Sequence, residues 1–349
     1  MNRKSYKKVT RKSSKKRKVA FVSLIVIASL LISLSAYAVY LTKKAEIAAN
    51  NSYEAIEDRN QSALRDGKVE PITDNVSVLF IGIDGSEVRN EEDDKSRSDA
   101  LMLATLNNED KTVKLVSIPR DSYVYIPEVG YSNKINHAHA YGGTKAAIET
   151  VEELMEIPVD YYVKMNFDAF IDVVNALGGI EAEVPYDYLE KDENNKRTVQ
   201  LEKGLQELDG REALALARTR MLDNDIERGK RQQMILSAII EKSASASSFT
   251  KYGEVIDAIG GNMKTDMTFN EMKSFFAYLK DGVPEVDTLS LKGEDDMSTG
   301  KYYWQLEQES LDETRDILKS HLGLQPDTSD ISDGTSDTSS DFAADDSSS

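Results

Sequence analysis

Residues 19–41 form a run of 23 residues without a charge, directly behind ten Lys and Arg residues that lie between Arg3 and Lys18. At about 1.5 Å per residue, a helix of that length crosses the roughly 30 Å hydrocarbon core of a bilayer. Whatever the rest of the chain folds into therefore starts from a membrane tether. Only Lys43 and Lys44 follow closely, and basic residues are held on the cytoplasmic side. The contrast predicts a single-pass type II protein of the cell membrane, with residues 1–18 as a basic cytoplasmic tail and the C-terminal body outside. Ala36-Tyr37-Ala38 has the small-residue spacing of a signal-peptide cleavage site, but the apolar run is longer than a typical signal core.

The exported body is acidic. The chain carries a formal charge of −18 although its tail holds ten basic residues, so the remainder stands at −28, which makes nucleic acid an unsuitable partner. Cysteine is absent, and with it disulfides, thiolate metal sites and cysteine nucleophiles. Residues 42–74 mix Ala, Glu, Asn, Asp and Arg with scattered apolar positions and read as a stalk or linker. Residues 326–349 are mostly Ser, Thr and Asp and cannot bury enough to fold, so they read as a disordered acidic tail.

Residues 75–325 are patterned as one domain. Residues 76–83, 99–106 and 112–118 read as buried strands, with Asn107-Asn108-Glu109-Asp110 as the hairpin turn between the last two. Further strands are expected near 160–166, 180–184 and 286–291. Helices are expected near 144–156, 167–177, 209–219, 225–246, 250–260, 269–280 and 307–321. Interleaved strands and helices without repeats predict an α/β fold, a single α-β-α sandwich with a mixed central sheet, preceded by one transmembrane helix.

Two clusters carry chemistry. Arg218, Arg220, Arg228, Lys230 and Arg231 crowd into a short stretch of this acidic chain. A helix starting at Asn224 or Asp225 places Arg228, Arg231 and Gln232 on one face of its first turns. Cations are disfavoured at a helix N-terminus by the helix dipole, so their presence there points to a phosphate or pyrophosphate sharing the site; a solvated, salt-bridged helix face is the alternative. In the second cluster, Asp84 ends the first strand and Asp99 begins the second. If those strands are antiparallel, both carboxylates lie at one sheet edge, to which the third strand returns Arg120 while Arg97 approaches from the loop. Carboxylates with open positions suit Mg²⁺ or Mn²⁺ completed by water and phosphate oxygens; turn carboxylates paired with Arg97 and Arg120 are the plainer reading. His137 and His139 lack a third ligand nearby in sequence, and Gly142-Gly143-Thr144-Lys145 lacks the glycine spacing of a phosphate loop.

Ile81-Gly82-Ile83-Asp84, Arg97-Ser98-Asp99-Ala100-Leu101-Met102-Leu103, Ser117-Ile118-Pro119-Arg120-Asp121, Lys134-Ile135-Asn136 with Tyr141-Gly142-Gly143, Ala176-Leu177-Gly178-Gly179-Ile180 and the run from Arg218 to Gln232 together resemble the LytR-CpsA-Psr family. The resemblance covers about residues 75–245. It implies a membrane-anchored phosphotransferase of a Gram-positive envelope that moves a glycan, such as teichoic acid or capsular polysaccharide, from a polyprenyl-pyrophosphate carrier to a peptidoglycan hydroxyl. It further implies that Asp84 and Asp99 bind Mg²⁺ and that Asp99 is the candidate base. Arg97, Arg120, Lys134, Arg218, Arg220, Arg228, Arg231 and Gln232 would surround the phosphates and head group. The apolar residues 167–177, 234–240 and 255–259 would line a slot for the polyprenyl tail, or serve as plain core. Ile226 and Glu227 depart from the aromatic residue and glycine that many members carry before the arginine matching Arg228. A non-catalytic glycan-binding or regulatory protein of the envelope is the competing reading.

The type II orientation predicts that protease added to intact, wall-stripped cells removes the body. Survival of the body while a known exported protein is digested would overturn it.

Overall fold

The structure is a computed structural model that describes residues 14–84, 96–192, 196–219, 225–244, 252–279 and 284–324. The tail before residue 14, the loop 85–95, Arg220, Asn224 and the acidic segment after residue 324 lie outside them.

Strands β1 (Val76–Ile83), β2 (Ser98–Asn107), β3 (Thr112–Ser117), β4 (Tyr161–Met165), β5 (Met263–Thr265) and β6 (Glu285–Ser290) form one sheet in the order β5-β4-β1-β2-β3-β6. The β1–β2, β2–β3 and β4–β5 pairs are antiparallel, whereas β1–β4 and β3–β6 are parallel. The expected mixed sheet is therefore present. The β2–β3 turn is closed by Asn107, whose side-chain oxygen accepts from the amides of Glu109 and Asp110.

Successive residues of β1 alternate between two buried faces. Leu79, Ile81 and Ile83 join Leu101 and Leu103 of β2 beneath helix α2 (His137–Met155) and helix α8 (Gln308–His321). Val76, Val78 and Phe80 turn the other way, toward helix α7 (Phe269–Leu279). Helix α5 (Asp225–Ala244) covers Met102, Ala104 and Leu115 on that same face through Leu236. Gln233 of α5 donates to the carbonyls of Leu115 and Leu289 at 3.0 and 2.8 Å, tying the helix to β3 and β6 at once. Helices α3 (Phe167–Leu177) and α4 (Gly210–Arg218) complete this layer beside α5. Each has its start written locally: the Asn166 side chain accepts from the Ala169 amide, and Asp209 with Glu212 makes a capping box. Gly178 ends α3 at φ 82°, as a left-handed cap favours.

Helix α1 (Ser14–Ser52) includes the apolar run, with a mean hydropathy of 2.6 and its apolar side chains exposed all round. A helix apolar on every side without a protein partner suits lipid. Its far end behaves differently. Ala48 and Ala49 are buried against helix α6 (Tyr252–Asn262), where a Cβ on Gly260 would come within 2.9 Å of the Ala48 Cβ. Lys44 pairs with Asp257 at 2.6 Å. Residues 42–74, expected as a stalk, are thus not a free spacer. Tyr53 bridges to Thr265 of β5, Arg59 clamps Glu152 with two hydrogen bonds of 2.9 and 3.0 Å, and Arg65 holds Asp160. The segment reads as polar because ion pairs supply many of its contacts with the body, beside a few apolar ones from Ala48, Ala49, Ile56 and Val69.

Three short hairpins and one further short strand were not legible as strands. Residues Tyr123–Ile126 pair with Tyr131–Lys134, Tyr188–Lys191 with Arg197–Leu201, and Gly293–Asp296 with Tyr303–Leu306. Residues Gly204–Leu208 pair with the expected strand Ile180–Val184. Each is too brief for a period of two to stand out.

His321 gives the fold an acid limit. Its ring is sandwiched between Thr105 Oγ1 at 2.7 Å and Thr112 Oγ1 at 2.9 Å. Burial, reinforced by Lys114, pushes its pKa down to about 4. The unfolded chain then binds a proton that the folded chain refuses, so this contribution is complete above about pH 6.5 and is lost as the pH falls toward 4. We expect a slope of at most about 1.4 kcal/mol per pH unit in that window, flattened in His321→Gln, as measured by denaturant unfolding in detergent.

Candidate active site

The register of β1 and β2 slips at one point. Gly82 lies opposite Ala100 but Ile83 lies opposite Ser98, so Asp99 is an inserted residue in β2. In an unbroken strand Asp99 would share the face of Leu101 and Leu103, inside the core under α2. The bulge turns it to the face of Ala100 and Met102. Asp84 reaches that face by plain alternation from Phe80 and Gly82, and both carboxylates border one cavity. Gly82 keeps this floor open, since a Cβ there would stand 3.2 Å from that of Ala100.

β3 runs back to the same edge and delivers Arg120, whose NH1 donates to Asp99 Oδ1 at 2.8 Å. Its Nε stands 3.6 Å from Asp121 and 3.7 Å from Asp225. Asp225 in turn holds Arg228 at 3.2 Å, and Asp121 accepts from Lys134 Nζ at 2.8 Å. The result is a chain of alternating charges, Asp99–Arg120–Asp225–Arg228, with a side branch through Asp121 to Lys134. Arg228 is buried, and a buried guanidinium needs such partners.

The cavity has a volume of about 550 Å³ and lies between the sheet and helices α3, α4 and α5. Its polarity can be read along every element that lines it. On β1 the order is Phe80, Gly82, Asp84; on β2, Asp99, Ala100, Met102; on α3, Asn166 and Phe167 before Phe170 and Val173. On α4 Leu214 precedes Arg218, and on α5 Arg228 and Gln232 precede Ile235, Leu236 and Ile239. All the polar ends coincide. One end of the cavity is therefore a charged mouth and the remainder an apolar pocket, closed toward β4 and β5 by Val163, Met165 and Met263.

Arg218 enters the mouth from the C-terminal end of α4, where a cation suits the helix dipole. Its guanidinium lies 4.4 Å over the Phe167 ring and donates to the Asp192 carbonyl. Gln232 donates to the Ala217 carbonyl at 3.3 Å. Arg231 does not reach the mouth. Its buried guanidinium donates to the carbonyls of Leu216 at 3.1 Å and Thr219 at 2.6 Å, holding the end of α4 to α5. Lys134 stands outside the cavity beside Asp121, and Arg97 is exposed just ahead of β2. Arg97 and Lys134 assist burial, the larger cause, in holding the His137 imidazole below its ordinary range. His139 is turned away from His137, its Nδ1 2.8 Å from the Ser96 carbonyl. Of the apolar stretches, those at 167–177 and 234–240 line the pocket, whereas Val255 packs behind α3 against Ala176 and Leu177. Among the described residues no three His, Cys, Asp or Glu side chains converge as a metal cage.

Comparison with known proteins places this geometry. The profile of the LytR_cpsA_psr family matches residues 39–320. The chain belongs to the LytR-CpsA-Psr family. It is 40% identical over 322 residues to the polyisoprenyl-teichoic acid–peptidoglycan teichoic acid transferase TagT of Bacillus subtilis, covering 90% of this chain and 99% of the relative. An uncharacterized protein of Staphylococcus aureus is 42% identical over 308 residues, 87% of this chain and 76% of that one. The solved structure of TagT with bound octaprenyl pyrophosphate lipid superposes with a TM-score of 0.63 at 38% identity, covering 78% of this chain and all of that one. TagT bound to LI-WTA gives 0.67 at 40% identity, with the same coverage.

Within this LytR-CpsA-Psr domain, sequence reasoning missed Asp121 and Asp225 as members of the site. Asp225 was legible only as a helix cap, and its second use, between two arginines, depends on the approach of β3 to α5. The separation of Arg231 from the site cations is directly testable. Arg231→Ala removes the guanidinium that donates to two buried carbonyls and should cost about 1–3 kcal/mol of stability. Arg218→Ala, at the half-open mouth, should cost under about 1 kcal/mol. Equal losses in thermal unfolding would return Arg231 to the mouth cations.

Proposed function

We propose that this chain is a membrane-anchored phosphotransferase that moves a glycan phosphate from a polyprenyl-pyrophosphate carrier to a peptidoglycan hydroxyl. The observation that carries the reading is the polarity of the cavity. An apolar pocket leading to a mouth of three guanidiniums and two carboxylates matches a molecule that is hydrocarbon at one end and pyrophosphate at the other. The activity named for TagT, and the octaprenyl pyrophosphate in its solved structure, support the same assignment. In this reading helix α1 anchors the enzyme, and the charge contrast across residues 19–41 supports a type II orientation with the domain outside.

In this reading the pocket holds the proximal part of the polyprenyl chain. Arg120, Arg218 and Arg228 pair with the phosphate oxygens on which charge develops. Asp225 keeps Arg120 and Arg228 aimed before substrate arrives, so little reorganisation is needed. The acceptor hydroxyl forms a bond to the glycan-bearing phosphorus, the bond from that phosphorus to the polyprenyl phosphate breaks, and the polyprenyl phosphate leaves with the bonding pair. Asp99 takes the hydroxyl proton.

Asp84 and Asp99 suit a Mg²⁺ ion, or Mn²⁺, since such ions take one or two carboxylates and complete their shell with water and substrate phosphate. The charges also favour one: the two carboxylates and Asp225 offset the three arginines that border the cavity, so a pyrophosphate arrives with its charge uncompensated. When bound, the ion would supply Lewis-acid stabilisation of the phosphate oxygens.

Arg120→Ala and Asp99→Ala should each lower the turnover of a synthetic polyprenyl-pyrophosphoryl glycan about 10²–10³-fold, and chelation should abolish turnover until Mg²⁺ is restored. Full activity in both variants would refute the transferase site. Indifference to chelation would remove only the metal.

A further inference from the structure

Beyond the mouth lies a surface that the transfer step does not use. In the hairpin that pairs Tyr123–Ile126 with Tyr131–Lys134, Val124 and Ile126 point into the core while Tyr123 and Tyr125 point out, 41% and 47% exposed. Register places Lys134 opposite Tyr123 and Ser132 opposite Tyr125, so these four side chains share the outer face. The Gly293–Asp296/Tyr303–Leu306 hairpin docks alongside, through a bridge between Ser122 and Trp304 and a hydrogen bond from the Trp304 amide to the Asp121 carbonyl. This brings the Tyr303 ring edge-to-face with Tyr123 at 4.8 Å. Lys134 Nζ lies 5.4 Å from the centre of the Tyr302 ring, and the Tyr302 hydroxyl donates to Asp295 at 2.8 Å. From Lys134 the path to the mouth is Asp121, then Arg120, then Asp99.

We propose that Tyr123, Tyr125 and Tyr303 form a stacking platform for the sugar rings of the acceptor glycan strand, which leads past Lys134 into the charged mouth. Pyranose rings present flat C–H faces edged by hydroxyls. Tyr123 and Tyr125, exposed, and Tyr303, half-buried, offer matching flat apolar bodies with polar tips, and Lys134, Ser132 and Asp295 add donors and acceptors at the rim.

Direction assigns this platform to the acceptor. In an in-line displacement the attacking oxygen enters opposite the leaving group. The polyprenyl phosphate departs toward the pocket, on the sheet face of α3 and α5, while the platform hairpin follows β3 and packs Val124 and Ile126 into the core under α2, on the opposite face. A membrane surface is disfavoured as the occupant by charge and position. Asp296 lies directly opposite Tyr303, with Glu294 and Asp295 beside it, and anionic lipid would be repelled. The chain leaving the anchoring helix bridges to β5 through Tyr53, four strands from β3, or about 19 Å across the sheet.

The inference rests on the transferase reading, and two measurements on the full-length chain in detergent keep them apart. In transfer assays with a soluble, uncrosslinked peptidoglycan glycan oligomer, the Tyr123→Ala/Tyr125→Ala double variant should raise the acceptor KM about tenfold, the scale of two lost stacking contacts. The donor KM should stay within about twofold, and Tyr123→Trp/Tyr125→Trp should restore the acceptor KM, which a folding defect would not allow. Binding of the same oligomer without donor, read by saturation-transfer NMR, should be present in the wild type and lost in the double alanine variant. That result supports the platform even if transfer fails, and absent wild-type binding overturns it even if transfer proceeds. An unchanged acceptor KM, a raised donor KM in its place, or loss of anionic-vesicle binding with glycan binding intact would also overturn it.

Discussion

The inserted residue in β2 sets Asp99 against Arg120, and the charged part of the molecule is arranged from that pairing. Without the slip, a carboxylate would face Leu101 and Leu103 in a dry core, where an unpaired charge is prohibitive. With it, the same carboxylate joins the mouth, takes up a guanidinium and starts the alternation that runs through Asp225 to Arg228. The local irregularity is thus compatible with an otherwise regular sheet, because it lies at the strand end, where only one more pair of residues follows.

That alternation also explains how guanidinium as buried as that of Arg228 is tolerated before any anion arrives. Each cation has a carboxylate within reach, yet the carboxylates are shared: Asp225 serves two arginines, and Asp121 serves Arg120 and Lys134. Shared partners hold positive groups in place without saturating them. Arg231 makes the contrast clear. It lies three residues from Arg228 on the same helix, but it is satisfied by backbone carbonyls and works as a strut between α4 and α5.

Much of this was legible in the chain. The three strands from residue 76 onward, their hairpin and the meeting of Asp84, Asp99 and Arg120 follow from apolar periodicity and one turn, all of it local. The helical spacing that groups Arg228, Arg231 and Gln232 was also legible, but the choice between cavity and neighbouring helix was not, because it depends on how α4 crosses α5. The bulge left no mark in composition. The segment at 42–74 misled for a related reason: Arg59 and Arg65 look solvent-seeking until Glu152 and Asp160, about 95 residues away, supply their partners. The hairpin tyrosines were similarly silent, since a strand of four residues is too short to announce which side faces out.

Helix α1 runs without interruption from its apolar part into its contact with α6, and the buried Ala48 lies only seven positions beyond the end of the apolar run at Leu41. At helical rise this is about 10 Å. In the anchored enzyme proposed here, the leash has no slack. The domain rides at a set height over the lipid headgroups and cannot reach outward to find substrate. On the proposed type II topology its reach into the wall is no more than its own diameter, which favours acceptor strands close to the membrane over layers further out.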